Sequence, residues 1–409
     1  TQRVGPGFRY SKDRNTFVAN VYYQHSVLDG QVTQGESEEI RHSYDDFTYF
    51  MMGQLMINRE NSLRLFINSS TSNPDVTSLQ GVYDLSDAQN ISHGNPTLNP
   101  SYSHRINFHY INSNVEKGRT FMWMFSLQST SDYIGTHTVQ NPSFTVDGET
   151  YTPNFYSTPV NLDGYLSLRT HLSYGFPIGF LRSNFNVMAG VSYTNTPSMY
   201  GMDDGGIDPE TGAISGGERN DTENMGYDFR AVLGSNISEN VDFTLSWNGT
   251  YNEATNSLST TNSKNRYFNH TASGDLKIVF PLGFTLTASA AYTQYLGFTN
   301  DYNDDYLLCN AYIGKKLFKN QRGEIMFGVN DIFNQNKSFV RTTGSGWTQN
   351  ATNSVIGRYF MVQFSFNLRR FGKKGSTNIK DYDGVEPAPR RRGMMGPGPG
   401  GPPPGFGPR

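Results

Sequence analysis

The chain has 409 residues, of which 35% are hydrophobic and 14% aromatic, and its mean hydropathy is -0.57. A large soluble core is hard to fill from so few apolar side chains, whereas a transmembrane β-barrel needs only a thin apolar band on one face of its strands. The formal net charge of -3 argues against a nucleic-acid-binding protein, and the single cysteine, Cys309, excludes a disulfide framework.

Composition leaves one alternative class open, a soluble all-β repeat protein such as a propeller, which also has many short strands. The sequence contains no uninterrupted apolar run of the length that a transmembrane helix needs. It begins at Thr1, with neither a methionine nor a signal peptide. We therefore expect either that a leader has been removed or that the chain is the C-terminal piece of a longer protein.

The chain opens with alternating segments that predict strands. Residues 4–10 read as the end of a strand whose beginning is missing, residues 16–26 as the next strand, and residues 44–57 as the one after a polar stretch at 29–41. Continued to the end of the chain, this pattern gives about 15 strands, of which the first is incomplete. Because the first strand is truncated, we expect residues 16–26 to form an edge of the sheet with unpaired backbone groups.

Short turns and long polar loops alternate between these strands. Short turns are predicted at residues 112–118, 176–183, 236–240, 281–283 and 318–323, and long loops at residues 72–99, 131–162, 197–221 and 334–356. Outer-membrane barrels place short turns on the periplasmic side and long loops outside the cell. A propeller would not separate loop lengths so strictly, so the rhythm favours an antiparallel transmembrane β-barrel.

The strands also alternate in polarity with a period of two. We expect Phe125, Leu245 and Phe364 to face lipid and their neighbours Ser126, Ser246 and Ser365 to face the lumen. Aromatic residues near the strand ends are predicted to form interfacial girdles; they are Tyr102, Tyr165, Phe176, Phe280 and Phe371.

One loop leads into its strand through two X-Pro steps, which hold the backbone extended. The residues are Gly94, Asn95, Pro96, Leu98 and Pro100, followed by the alternating strand from Ser101 to Tyr110. This segment resembles the G-N-P-x-L-x-P loop of TonB-dependent outer-membrane receptors, in particular the large barrel family common in Bacteroidota.

A second resemblance lies one strand before the end. Val329, Asn330, Asp331 and Phe333 fall in the segment V-N-D-I-F, which is similar to a segment near the C-terminus of the same receptors. The other interpretation of this segment is simply a strand that ends in an Asx-rich turn.

The resemblance implies a 22-stranded barrel with a plugged lumen, of which this chain would hold the C-terminal part. It implies active import of a scarce extracellular ligand, an upstream plug domain, and an energy-coupling complex in the inner membrane that contacts that plug. The last strand, residues 359–369, resembles a terminal signal read by the barrel assembly machinery. Lipid of the outer membrane is the remaining expected partner, and no nucleic acid is expected.

The composition changes after Phe371, so we divide the chain into a barrel at residues 1–371 and a tail at residues 372–409. The tail is basic and then almost entirely Gly and Pro, which predicts disorder. The strand direction places the tail in the periplasm. A passive tail is a simpler interpretation than a binding motif.

No catalytic, cofactor or metal motif is recognisable, and no enzyme activity is expected. His104 and His109 point to opposite faces of one strand, and the acidic loop at residues 203–210 lacks the ligand spacing of an EF-hand. The alternatives are a passive porin, an adhesin scaffold or a secretion channel, and an outer-membrane hydrolase whose cluster would lie in the loops. Ligand contacts are expected in the long loops, which are rich in Tyr and Asn and include Trp347, but the ligand cannot be read from the chain.

Overall fold

Nearly every element of the chain in the computed structural model is a β-strand. The structure describes residues 1–31, 39–202, 206–235, 238, 240–258, 265–297, 304–318, 321–344 and 347–366. Residues 1–366 form one unit. The tail at residues 372–409 and the girdle residue Phe371 lie outside the described residues.

In the described residues, the helical elements are the short helix α1, Val76–Leu79, and two 3-10 turns, Gly179–Leu181 and Pro281–Gly283. Among the described residues, no helix has the length and apolar character needed to cross a membrane. The strands, in chain order, are β1 Gln2–Val4, β2 Gly7–Lys12, β3 Asn15–Gln31, β4 Glu39–Met56, β5 Asn61–Ser72, β6 Tyr83–Asp84, β7 Asn90–His93, β8 Ser101–Asn114, β9 Arg119–Ser131, β10 Tyr133–Gln140, β11 Phe144–Val146, β12 Glu149–Tyr151, β13 Phe155–Leu162, β14 Tyr165–Ile178, β15 Ser183–Met202, β16 Glu218–Ser235, β17 Val241–Asn256, β18 Asn265–Val279, β19 Phe284–Leu296, β20 Asp304–Leu317, β21 Gly323–Asn330, β22 Ser338–Gly344, β23 Trp347–Asn353 and β24 Tyr359–Phe366.

The main sheet is an antiparallel meander in which each strand pairs with the next long strand along the chain. β1 and β2 both pair with β3, and the order then runs β3, β4, β5, β8, β9, β14 to β21 in sequence, and β24. With β1 and β2 counted as one interrupted strand, this order agrees with the expected strand count of about 15. Within the described ranges, no backbone pairing joins β1 or β2 to β24.

The first edge of the sheet is not the predicted one. Residues 16–26, which we expected to carry unpaired backbone groups, lie inside β3, and β3 pairs on both sides. Gln24 lies opposite Arg3 on one side and opposite Asp46 on the other. The edge is formed by β1 and β2, because the segment that read as a strand remnant is itself laddered to β3.

The two faces of the sheet have opposite polarity, as the alternation predicts. On one face, large apolar side chains are exposed: Leu245 is 51% exposed and Phe364 58% exposed. On the other face, polar side chains are buried, among them Gln24 and Thr48, and Ser126 donates to Asn107 Oδ1 at 2.9 Å. We call these the apolar face and the polar face. A soluble sheet shows the reverse arrangement, so this polarity suits an apolar solvent outside and water inside.

Two predicted girdle residues lie on different faces. Tyr102 lies on the apolar face and donates its hydroxyl to the carbonyl oxygen of Phe47 at 2.6 Å. Tyr165 lies opposite Thr130 on the polar face, and its ring stacks on Tyr133 with centroids 4.7 Å apart. The girdle assignment of Tyr165 is therefore wrong, because its position in the alternation of β14 turns it away from the apolar face.

The two ends of the sheet differ, as predicted. At the short-turn end, tight turns join β8 to β9, β14 to β15 and β18 to β19. Gly118 closes the first turn with φ +61°, a backbone conformation that favours glycine. At the opposite end, which we call the loop end, the strands run further than predicted. The hairpin of β15 and β16 continues to the pair Tyr200 and Glu218, inside the segment predicted as the loop at residues 197–221.

The segments predicted as long polar loops are folded. β10 pairs with β13, and β13 pairs in parallel with β7. β10 also pairs in parallel with residues 199–202 of β15, at the loop end. The residues at 73–100, 132–164 and 206–217 together form what we call the cap. These segments lie where long polar loops were predicted, and they are ordered because they bury side chains against one another.

Candidate functional site: the cap over the polar face

The first feature of the cap is a small hydrophobic core that holds it to the polar face of the sheet. Leu98 and Leu79 are 3% and 2% exposed and pack with Ile40 of β4. Leu28 of β3 and Val76 of α1 lie against the same cluster. Leu28 and Ile40 occupy polar-face positions of their strands. The segment between β5 and β8 therefore folds inward over the polar face.

The predicted signature loop is the part of the cap that makes this contact. Leu98 supplies the buried side chain. Gly94 lies against the end of α1, where a Cβ would stand 2.1 Å from the carbonyl oxygen of Gln80 and 2.9 Å from that of Thr77. Only glycine fits such an approach. The backbone N–H of Asn95 donates to the carbonyl oxygen of Ser78 at 2.6 Å, which fixes the loop on the helix.

Asparagine side chains join the signature loop to β13. Asn95 Nδ2 donates to the carbonyl oxygen of Pro159 at 3.0 Å, while its Oδ1 accepts from the backbone N–H of Thr97 at 3.0 Å. Asn161 Oδ1 accepts from the backbone N–H of Asn99 at 2.8 Å, and Asn161 Nδ2 donates back to the carbonyl oxygen of Asn99 at 3.0 Å. Side-chain amides thus connect the signature loop to β13 through backbone groups.

A second core joins all three cap segments: its aromatic rings come from the first two segments, and the third contributes Ile207 and Ile214. Phe144 and Tyr156 pack at 5.2 Å between centroids, and Tyr83 meets His93 edge-on at 4.6 Å. The fully buried Tyr156 donates its hydroxyl to the carbonyl oxygen of Gly212 at 2.6 Å. Burial raises the pKa of the Tyr156 hydroxyl far above its ordinary value, so this group stays a neutral donor.

His137 is a buried titratable group of the cap. It lies on β10, is 5% exposed, and its Nε2 atom has no hydrogen-bond partner within the described residues. Burial lowers the pKa of the His137 imidazole, because the charged form would lose its hydration. The side chain therefore adds no positive charge to the cap at neutral pH.

The acidic loop is a turn of the cap. Asp208 accepts from the backbone N–H of Glu210 at 3.0 Å and from the Thr211 hydroxyl at 2.7 Å. These hydrogen bonds lower the pKa of the Asp208 carboxyl, and the bond from Thr211 has the largest effect. The hydroxyl of Tyr83 donates to the carbonyl oxygen of Pro209 at 3.2 Å and seats the turn on the aromatic core. Residues 203–205 lie outside the described residues.

The second predicted signature lies elsewhere, after β21. Asp331 is 2% exposed, has φ +51°, and accepts from the backbone N–H groups of Gln335 at 2.9 Å and Asn336 at 3.0 Å. Its own N–H donates to Asn310 Oδ1 at 2.9 Å.

The other residues of this signature lie in different surroundings. Asn330 accepts a hydrogen bond from the Tyr312 hydroxyl, and Val329 lies on the apolar face opposite Phe360. Phe333 is exposed. The segment shapes a turn, as its simpler interpretation predicts.

Sequence reasoning missed the residues that build the aromatic core. Tyr83, Phe144 and Tyr156 stand in segments rich in Asn, Pro, Ser and Asp, which are typical of open loops. The alternating segment Phe155–Leu162 was the available signal, since Tyr156, Thr158 and Val160 share one face of β13. His104 and His109 do lie on opposite faces, one against Tyr49 and the other against Phe66.

Comparison with known proteins places this architecture in a family. No curated protein matches the chain. The family model of the outer membrane protein beta-barrel family matches residues 23–367, which include β4 to β24 and the whole cap. The apolar outer face, the polar inner face and the antiparallel meander are what such a barrel requires. The chain belongs to the outer membrane protein beta-barrel family.

Proposed function

We propose that this chain is the barrel of an energised outer-membrane receptor of the TonB-dependent type, which imports a scarce extracellular ligand. In this proposal the loop end faces outside the cell, the apolar face contacts lipid, and the polar face lines the lumen. A plug encoded by a preceding segment would fill the lumen and contact an energy-coupling complex of the inner membrane. The chain would bind and pass its ligand and perform no chemistry on it.

One observation carries the proposal: the cap lies on the lumen side of the wall. Leu98 and Leu79 cover Ile40 at a polar-face position, and the Gly94 turn holds them there. A passive pore needs an unobstructed mouth, whereas a receptor needs a folded surface that recognises one ligand. The half-buried tyrosines of the cap, among them Tyr83 and Tyr151, are of the kind that contribute most to recognition.

The test measures whether the cap seals the mouth. In porin-deficient cells that express the whole protein and a periplasmic β-lactamase, nitrocefin hydrolysis reports permeability. We expect no rise with the native protein. When the preceding plug segment is deleted, so that only the cap closes the lumen, we expect a several-fold rise on adding Gly94→Val, which forces a side chain against Gln80. Gly179→Val is the matched control, because a Cβ at Gly179 meets nothing within 4 Å.

The outcomes separate the two classes of barrel. A high permeability with the native protein would favour a passive porin or secretion channel and contradict the receptor. Energy coupling is tested in the native host. There, loss of the receptor gene and loss of the inner-membrane coupling complex should slow growth on the limiting ligand equally, and a defect with the first alone would contradict energised import.

A further inference from the structure

We propose that the lumen wall carries a binding site for an oxyanion group of the ligand, a carboxylate or a phosphate, built on β14 and β16 around Gly190. The inference rests on the proposed function and names the chemical class of its ligand. Arg169 and His171 are alternate residues of β14, and Asp228 and Arg230 are alternate residues of β16. All four side chains belong to the polar face.

Gly190 brings the two strands' side chains together. It lies between them on β15, opposite His171 on one side and opposite Asp228 on the other. His171 Nε2 reaches across to Asp228 Oδ2 at 3.5 Å. A Cβ at Gly190 would stand 2.0 Å from that oxygen and 2.8 Å from His171 Cδ2, so the contact exists only because this position is glycine.

The arginines on either side are available to a ligand. Arg169 and Arg230 are both exposed on the polar face. Within the part of the chain that the structure describes, neither guanidinium has a hydrogen bond or an ion pair. Arginine presents several donors in a fork that matches carboxylate and phosphate oxygens. The two side chains flank the His171–Asp228 pair, one towards the loop end and one towards the short-turn end.

The surrounding wall keeps the balance of charge positive. His171, Gly190 and Asp228 belong to one row of residues that lie opposite one another across the strands. In the other direction this row continues through Met124 and His109 to Arg64. On β5 to β16, the same-face positions of this row and of the rows directly above and below carry no carboxylate besides Asp228. His171 contacts that carboxylate and turns it towards Gly190. In a chain of net charge -3, this part of the wall is basic.

The experiment uses the whole protein purified from the outer membrane in detergent. The probe is the anionic dye 8-hydroxypyrene-1,3,6-trisulfonate, followed by fluorescence anisotropy, with inorganic phosphate and citrate as competitors. We expect Arg169→Gln with Arg230→Gln to weaken binding at least tenfold. The control pair, Arg9→Gln with Lys277→Gln, removes the same charge from polar-face positions outside the cluster and should leave binding within twofold.

Variants at Asp228 and Gly190 separate an electrostatic role of this cluster in dye binding from a purely structural one. Asp228→Asn removes the local negative charge and should tighten dye binding, while Gly190→Ala, which separates Asp228 from His171, should weaken it. Far-ultraviolet circular dichroism confirms that each variant is folded. Equal losses in the control pair, or unchanged binding in Asp228→Asn, would overturn the site.

The remaining outcomes also decide the question. If the native protein binds no dye and the double variant instead loosens the plug, seen as faster proteolysis of the preceding segment, then the arginines bind protein rather than a ligand, and the inference is wrong. The permeability test of the cap measures passive flux through the mouth, and its outcome does not require an anion site on the wall. A sealed barrel without dye affinity would therefore remove this site and leave the proposed receptor standing.

Discussion

Replacing Leu245 by arginine should destabilise the protein in a bilayer far more than the same change at the next residue. Leu245 is 51% exposed on the apolar face, opposite Leu233 and Gly274. It stands four residues beyond Val241, where β17 begins at the short-turn end. At about 3.3 Å per residue and a tilt of about 40°, it lies roughly 10 Å inward, close to the middle of an apolar band about 25 Å tall.

The expected cost of Leu245→Arg is about 3 kcal/mol, because a guanidinium at this depth must be held in hydrocarbon. Ser246 faces the lumen, and its hydroxyl bonds that of Ser273 at 2.7 Å. Ser246→Arg loses that bond, at a cost of about 1 kcal/mol, and keeps its charge in water. The difference of about 2 kcal/mol corresponds to a roughly 30-fold ratio of folding equilibria.

The assay is a urea titration of folding into phosphatidylcholine vesicles, followed by the heat-modifiable gel shift. Leu245→Met serves as the control for side-chain packing and should stay within about 1.5 kcal/mol of the native protein. If Leu245→Arg and Ser246→Arg lower the free energy of unfolding equally, the assignment of lipid and lumen faces is refuted, and a soluble sheet becomes the better interpretation.

Three further predictions concern the cap and the turn after β21. Cysteines at Ser143 and Ser215, in a Cys309→Ser background, should label on intact cells, whereas one at Val115, 87% exposed at the short-turn end, should label only after the outer membrane is opened; reversed labelling would invert the orientation. Burial lowers the pKa of His137, so the unfolded cap binds more protons than the folded cap below about pH 6.5, and the stability of the folded cap should fall as the pH drops. Protease cleavage within residues 133–162 should therefore be faster at pH 5.5 than at pH 7.5, and His137→Leu should abolish the difference. Asp331→Ala leaves two partly buried backbone N–H groups without their acceptor and should cost about 1 kcal/mol for each. Asp331→Asn should recover part of the loss in the same vesicle titration, and equal loss in both variants would contradict the capping role.

The strand rhythm and the faces could be predicted because each depends on a local repeat. A period of two fixes the face of Leu245 and Ser246 whatever the partner strand is. Strand ends were less predictable. Residues 29–41 read as a polar stretch and residues 197–221 as a polar loop, yet both ends of each segment continue a hairpin, since cross-strand pairing outweighs weak β-propensity.

The cap could not be predicted, because its contacts join segments that are far apart in the chain. Nothing local to Tyr156 indicates that its hydroxyl meets the carbonyl oxygen of Gly212, or that β10 lies parallel to β15. The signature loop was recognised as a motif, but its physical role, to place Leu98 on Ile40, depends on the neighbouring hairpin. The glycine gap at Gly190 likewise becomes visible only once the register sets it between His171 and Asp228.

The parallel pairing of β10 with β15 has a consequence for the order of assembly. Residues His137–Gln140 can pair with Met199–Met202 only after the later hairpin of β14 and β15 has formed. The hydrogen bond from Tyr156 to Gly212 can form only after that. Contacts of such long sequence separation form slowly, and until they form the rings of Phe144 and Tyr156 are bare to water. A chaperone that shields these segments during transit, rather than the strands alone, would then set the yield of the mature protein.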